Sequence, residues 1–431
     1  MSLKKLIEQK RINTLGINSG TSVDGVDLAL LSVWFSPDGS TRVKVLGHST
    51  VRYPQELREL IMKLSQAPHS TVEEIALADE ALGVFFGRKA KAFIDNLRKK
   101  NYHTHLISSH GQTIRHIPES KNIAGISVRA TFQIGAPERI ATLTGIPVVS
   151  HFRQAHVAFG GEGSPITTGA IASLLSSRTE NRIVVNIGGI ANVFDLPASY
   201  KLNAKSAFDC GPGNVLIDLA TSKLFGKPYD RGGEIASSGT LSSRLLTLIS
   251  SNEFFDYTGA KSSGRKESKS SSLSTGRERY SAAALEKIIK SSRDLKISNR
   301  DMISTLSELT ALKIAEAIFK ILKYCDTNLC VYLTGGGLKN RDLIKRIRRL
   351  LHGIDVKSVA KLGYHPDYLE AISYAVMGYW TLKGKPTLAP EIIARRRGIN
   401  VKKTKPLAPV LGRLIQAPQR KAWDYIAEQN T

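Results

Sequence analysis

Apolar and polar positions along this chain follow two rhythms, one of strands and one of helices. In 11–35, RINTLGINSGTSVDGVDLALLSVWF, two apolar runs flank a corner of Gly, Ser, Thr and Asp, which predicts a strand, a turn and a returning strand. The stretch 182–197, RIVVNIGGIANVFDLP, repeats that construction around a Gly-Gly corner. Glycine suits such corners because it tolerates positive φ and close backbone approach. Asn18, Ser19, Thr21, Ser22 and Asn186 add side-chain donors suited to phosphate oxygens. Two such units in the two halves predict a duplicated domain pair around a cleft; two unrelated hairpins is the other reading of the same pattern.

Helical spacing governs much of the rest. TVEEIALADEALGVFFGRKAKAFIDNLRKK (71–100) spaces its apolar residues for a helix and opens with Thr71 and Glu74 as a capping box. LISSHGQTI (106–114) predicts a strand running into a polar turn. GPGNVLIDLATSKLF (211–225) predicts an apolar-faced helix whose N-terminus offers free backbone amides to an anion. From Asp301 a long amphipathic helix is expected, followed by CVYLTGGGLKN (330–340), a strand delivering three glycines to the helix RDLIKRIRRLL. Strands alternating with helices give an α/β class.

Composition narrows the picture. At 431 residues, 42% of them hydrophobic, the chain is long enough for two or three globular domains. No apolar run approaches the roughly 18–20 residues of a membrane span. MSLKKLIEQKRINT has no apolar core of a secretory signal. Cys210, Cys325 and Cys330 form neither a disulfide framework nor a paired zinc motif, so a reducing, cytoplasmic setting is expected. The formal charge of +24 raises polyanion binding as a separate hypothesis. Its basic residues are spread out, the densest cluster being RRRGINVKKTK at 395–405, and no nucleic-acid-binding signature accompanies them. Nucleic acid and membrane are therefore not expected partners. The serine-rich, basic 259–280 predicts a mobile surface loop. No P-loop and no G-x-G-x-x-G after a strand occurs, which disfavours those nucleotide folds. His105, His110 and His116 are too scattered for a metal site.

Seven blocks in order carry a resemblance: GINSGTSVDGVD (16–27), SHGQTI (109–114), FRQAHVAFGGEGSP (152–165), NIGGIAN (186–192), FDCGPGN (208–214), TGGGLKN (334–340) and PDYLEAISYA (366–375). The chain resembles the anhydro-N-acetylmuramic acid kinases, relatives of levoglucosan kinase, from about residue 12 to about 413. The resemblance implies an actin-like ATPase/hexokinase-type (ribonuclease H-like) fold of two lobes with an interlobe nucleotide cleft. It divides the chain into a tail 1–9, a first lobe 10–150 plus 372–431, and a second lobe 151–371. It implies ATP and Mg²⁺ as cofactors, a 1,6-anhydro amino sugar as substrate, a homodimer, and a place in peptidoglycan recycling. In the implied reaction water opens the anhydro bridge while the freed O6 attacks the γ-phosphate.

The resemblance also implies site residues. Gly20, Thr21, Ser22, Val23, Asp24, Gly25, Val26 and Asp27 match a first phosphate turn, with Asp24 in metal or water contact. Asp27 has two readings, ligand or structural turn acceptor. Asn186, Gly188 and Gly189 match a second phosphate turn, with Asp209, Gly211 and Gly213 in the block after it. Gly335, Gly336 and Gly337 match the adenosine side, with Asn340 nearby, and His110, Gln112, Thr131, Gln133 and Glu370 lie in sugar-facing blocks.

One block departs from the family. Its motif D-F-R-x-x-D-x-A-x-G-G carries the catalytic aspartate three residues after the arginine. Here the first aspartate falls on His151 and the catalytic one on His156, while Arg153, Gly160 and Gly161 remain. Ring opening wants a general base beside the attacking water. Three readings stand: neutral His156 takes the proton; the protein binds ATP and sugar with impaired catalysis; or the substrate is another sugar such as levoglucosan.

Overall fold

The computed structural model describes residues 2–20, 22–66, 69–199, 206–251, 254, 280–322, 328–387 and 410–417. The mobile loop expected at 259–280, apart from Tyr280, lies outside them, as do Thr21, Cys325 and the basic cluster 395–405. The chain forms two compact units, Met1–Leu175 with Tyr368–Thr431, and Ser176–Asp367.

The first unit carries β1 (Arg11–Asn18), β2 (Gly25–Phe35), β3 (Thr41–Arg52), β4 (Leu106–Ser109), β5 (Gln112–Ile123), β6 (Ile126–Ile134) and β7 (Val148–Ser150). The second carries β8 (Asn181–Ile187), β9 (Ile190–Leu196), β10 (Ser206–Pro212), β11 (Leu329–Thr334) and β12 (Asp355–Ser358). A last strand, β13 (Arg413–Ile415), returns to the first.

The two sheets share one wiring. In the first, β3-β2-β1 is an antiparallel meander and β4 then β7 add in parallel on the β1 side, with β13 at the edge. In the second, β10-β9-β8 is the meander and β11 then β12 add in parallel. Helices separate the third strand from the fourth in both units, as parallel neighbours require. This order, met twice, is that of the ribonuclease H-like, actin-type fold, so the two corners read from the sequence belong to equivalent hairpins rather than unrelated ones.

In the first unit the core joins Leu15, Ile17, Val26, Leu28 and Leu30 to Leu82, Phe86 and Ala90 of the helix Val72–Arg98. That helix begins at the expected capping box: Thr71 accepts from the Glu74 amide, and Glu74 accepts in return. The helix Leu369–Leu382 also packs on this sheet. It approaches so closely that a Cβ on Gly16 would overlap the Ala371 carbonyl, and one on Gly378 would stand 2.6 Å from the Ser108 Cβ. In the second unit the core joins Ile183, Val185, Val193, Val331 and Leu333 to the helices Asn299–Leu322 and Arg341–Leu350.

Three features differ from expectation. The segment 151–175 groups with the first unit, because β7 feeds straight into it and the helix Thr168–Leu175 packs against Leu369–Leu382. Residues 368–371 join that unit too. The expected tail contains a short helix, Leu3–Glu8, capped by Ser2. The helix from Asn299 is less amphipathic than expected, with 302–311 buried without a break. No helix among the described residues is long and apolar enough to cross a membrane.

Candidate functional site

In the first unit β1 ends at Asn18 and β2 begins at Gly25, so the candidate turn divides. Its two ends are tied down. Asn18 Nδ2 donates to Glu370 Oε2 (3.2 Å), and the buried Ser19 hydroxyl donates to Gln112 Oε1 and lies 2.7 Å from the Tyr53 hydroxyl. Val23 is buried at φ 52°, and Arg58 Nε donates to its carbonyl (3.0 Å). Between these anchors Ser22 and Asp24 are exposed, Ser22 Oγ donating to Asp24 Oδ1 (2.7 Å). Gly25, Val26 and Asp27 belong to the strand. A Cβ on Gly25 would overlap the Val51 carbonyl; Val26 is core; Asp27 accepts from Thr50 Oγ1 (2.5 Å).

A second group in the same unit is built on β4 to β6 and the helix Phe152–Ala158. His110 is buried, stacked on Tyr374 with ring centroids 4.7 Å apart, and its Nε2 accepts from Arg153 Nε (2.8 Å). Burial first, and the Arg153 charge second, hold its pKa well below the imidazole range. It is therefore neutral, with its proton on Nδ1, and that buried atom has no partner in the structure. Gln133 Nε2 donates to Thr131 Oγ1 (2.8 Å) and Thr113 Oγ1 (3.1 Å), leaving its buried Oε1 unpartnered. His116, opposite Thr131 in the β5–β6 register, places Nδ1 3.2 Å from the Thr131 hydroxyl. Burial and then Arg153 lower its pKa to about 4.

Arg153 also donates from Nη1 to the Gly163 carbonyl (2.7 Å), so it joins His110 to the turn 159–163. His151 stands at φ 62° with Nδ1 2.6 Å from the Ser150 hydroxyl. His156 is buried, and its Nδ1 accepts from the Gly163 amide (3.1 Å). Its ring fills the space a Gly161 Cβ would need. A neutral imidazole has one acceptor nitrogen. With Nδ1 used on Gly163, the tautomer this hydrogen bond assigns puts the proton on Nε2. In this geometry the Nδ1 lone pair of His156 meets the backbone and the ring braces the turn.

The second unit's corner is a tighter assembly. Gly188 and Gly189 link β8 to β9, and their carbonyls accept from the amides of Gly213, Asn214 and Val215 (2.8–3.1 Å). A Cβ on Gly213 would overlap the Gly188 carbonyl. At the start of the helix Val215–Phe225 the Asn214 and Val215 amides are thus taken up by the glycine corner folding onto that helix end. Asp209 accepts from Asn192 Nδ2 across β9–β10, and Gly211 packs against Lys313. Desolvation raises the pKa of the half-buried Cys210 thiol above its ordinary value. Asn186 pairs in register with Thr334, just before the triple glycine. Gly335, at φ 87°, leaves 2.5 Å between a hypothetical Cβ and Asn186 Oδ1, and Gly337 packs on Ile187, whereas Gly336 faces open space. Asn340 caps the helix Arg341–Leu350, its Oδ1 accepting from the Leu343 amide (3.0 Å).

Among the described residues no group of three or more His, Cys, Asp or Glu is placed to hold a metal ion. Mg²⁺ held chiefly by phosphate oxygens needs only one or two carboxylates, and the exposed Asp24 fits that requirement. Tyr53 and His116 enter the site network without having been assigned to it from the sequence. His116 enters as the cross-strand partner of Thr131, a pairing set by the irregular β5–β6 register. Tyr53 had no signal in the sequence.

A family model described as anhydro-N-acetylmuramic acid kinase matches residues 12–401. A protein of that name from Rippkaea orientalis is 37% identical over 375 residues, covering 85% of this chain and 92% of its own. Another from Crocosphaera subtropica is 35% identical, covering 89% and 96%, and one from Salinibacter ruber is 31% identical, covering 91% and 95%.

Proposed function

The chain belongs to the anhydro-N-acetylmuramic acid kinase family, and from that membership we propose how its residues carry the activity. It is an ATP-dependent kinase for 1,6-anhydro-N-acetylmuramic acid, acting in the recycling of cell-wall sugars. The observation that carries this reading is the family match across 12–401. Water adds to the anomeric carbon, the C1–O6 bond breaks, and O6 attacks the γ-phosphorus as ADP leaves. Phosphoryl transfer asks mainly for positioning and charge neutralisation.

In the first unit we assign Gly20, Ser22 and Asp24 to the β/γ-phosphates, with Asp24 as the carboxylate available to Mg²⁺. When bound, Mg²⁺ supplies neutralisation of phosphate charge. His110, Gln112, Thr131, Gln133 and Glu370 are assigned to the sugar. The support is chemical: the buried Nδ1 of His110 is an unmet donor and the buried Oε1 of Gln133 an unmet acceptor. Sugar hydroxyls answer both, and such unmet pairs make a site reject ligands that lack the hydroxyl. Asn186, Gly188 and Gly189 are assigned to phosphate contact in the second unit, and Gly335, Gly336 and Gly337 to the adenosine, with Gly336 open to it. A cytoplasmic location and a homodimer complete the reading.

The test is ADP release by the purified protein with and without 1,6-anhydro-N-acetylmuramic acid, with levoglucosan alongside. Release stimulated by the muramic sugar is expected. Protein that binds ATP yet releases ADP at one rate in all three conditions overturns the reading.

A further inference from the structure

The turn that replaces two aspartates with histidines still contains one carboxylate, Glu162, between Gly161 and Gly163. Its Oε2 is buried and has no hydrogen-bond partner in the structure. A buried carboxylate oxygen left without a donor is costly and calls for an explanation. Its neighbours are fixed. The Gly163 amide is held by His156 Nδ1 and the Gly163 carbonyl by Arg153 Nη1, with Gly163 itself at φ 82°. Arg153 in turn holds His110, one of the sugar-assigned residues. Glu162 is thus the residue before a clamped glycine, on a turn wired to the substrate group.

We propose that Glu162 is the general base of ring opening, in place of the carboxylate missing at position 156. This rests on the kinase reading above. The Glu162 carboxylate takes one proton from water, and the resulting hydroxide oxygen bonds to the anomeric carbon. The C1–O6 electron pair goes to O6, which bonds to the γ-phosphorus while the bond to the β,γ-bridging oxygen breaks. The products are sugar 6-phosphate, ADP and a protonated Glu162, which returns its proton to solvent. Charge favours this choice over the imidazole. A base that gains a proton at His156 would put a second positive charge on the same short helix as Arg153, whereas Glu162 becomes neutral.

The experiment compares wild type, Glu162→Gln, Glu162→Asp and His156→Asn in sugar-dependent ADP release across pH. His156→Asn keeps an acceptor for the Gly163 amide. Glu162→Gln is expected to lose on the order of 10²–10⁴-fold in kcat, with KM for ATP changed little and the acid limb of the pH profile flattened. Glu162→Asp recovers part of that loss, and His156→Asn keeps the acid limb. Glu162→Gln within about threefold of wild type, below what a general base contributes, overturns this inference while leaving the kinase reading intact. Loss of the acid limb in His156→Asn instead overturns it in favour of the imidazole. A wild type without sugar-dependent release overturns both.

Discussion

The two hairpin corners have one topology and opposite constructions. In the second unit Gly188 and Gly189 are pinned by the amides of residues 213–215, and Gly335 and Gly337 press on the end of β8 with no room for a side chain. In the first unit the corner is longer and is held by Gln112, Tyr53, Glu370 and Arg58, with Ser22 and Asp24 left exposed. One corner offers a rigid backbone surface; the other offers side-chain chemistry. Duplication fixes where a site stands, and local packing decides what each copy contributes.

The contrast is breakable. Gly335→Ala should be the most damaging change to the second corner, since it combines a left-handed φ with a close Asn186 contact; a loss of about 3 kcal/mol is expected, read by urea unfolding. A loss below about 1 kcal/mol, the lower end for overpacking, would show that this corner yields. At the first corner Asp24→Asn should leave the unfolding midpoint unchanged while lowering kcat by roughly 10²-fold, about 2.7 kcal/mol of barrier. Equal damage to stability and rate would mean that Asp24 is structural.

Acid should weaken the first unit through one buried and two half-buried imidazoles. His110, His116 and His151 all have lowered folded pKa values, mainly through burial. The unfolded chain then binds protons the folded one refuses, so stability is full above about pH 6.5 and falls as pH drops below it. For His116 that window ends at about pH 4. His116→Gln should make the decline between pH 7 and pH 5 shallower in urea unfolding; an unchanged slope would remove His116 from the account. The smallest effect is expected of Ser22→Ala, which removes one exposed hydrogen bond to Asp24 and should cost under about tenfold in kcat.

Much of this was legible in the sequence because it is local. Both hairpins, the Thr71–Glu74 cap and the strand–glycine–helix of 329–350 depend on residues within a turn or two of each other. The occupied amides of 213–215 were not legible, since their acceptors lie some 25 residues earlier. Nor was the grouping of 151–175, which is set by pairing of β7 with β4 and packing against a helix two hundred residues away. For the site, motif matching named Arg153, His110 and the glycines, but not the hydrogen bonds that join them. The Gly163 amide on His156 and the unmet oxygen of Glu162 are relations between side chains and backbone, visible only once the turn is folded.

The central claim is that water opens the anhydro ring while the freed O6 takes the phosphoryl group. Turnover in H₂¹⁸O, sampled early, tests it most directly. The account predicts label on the anomeric oxygen of the sugar phosphate and none in its phosphoryl group. Label in released inorganic phosphate, with unaltered anhydro sugar, would contradict it.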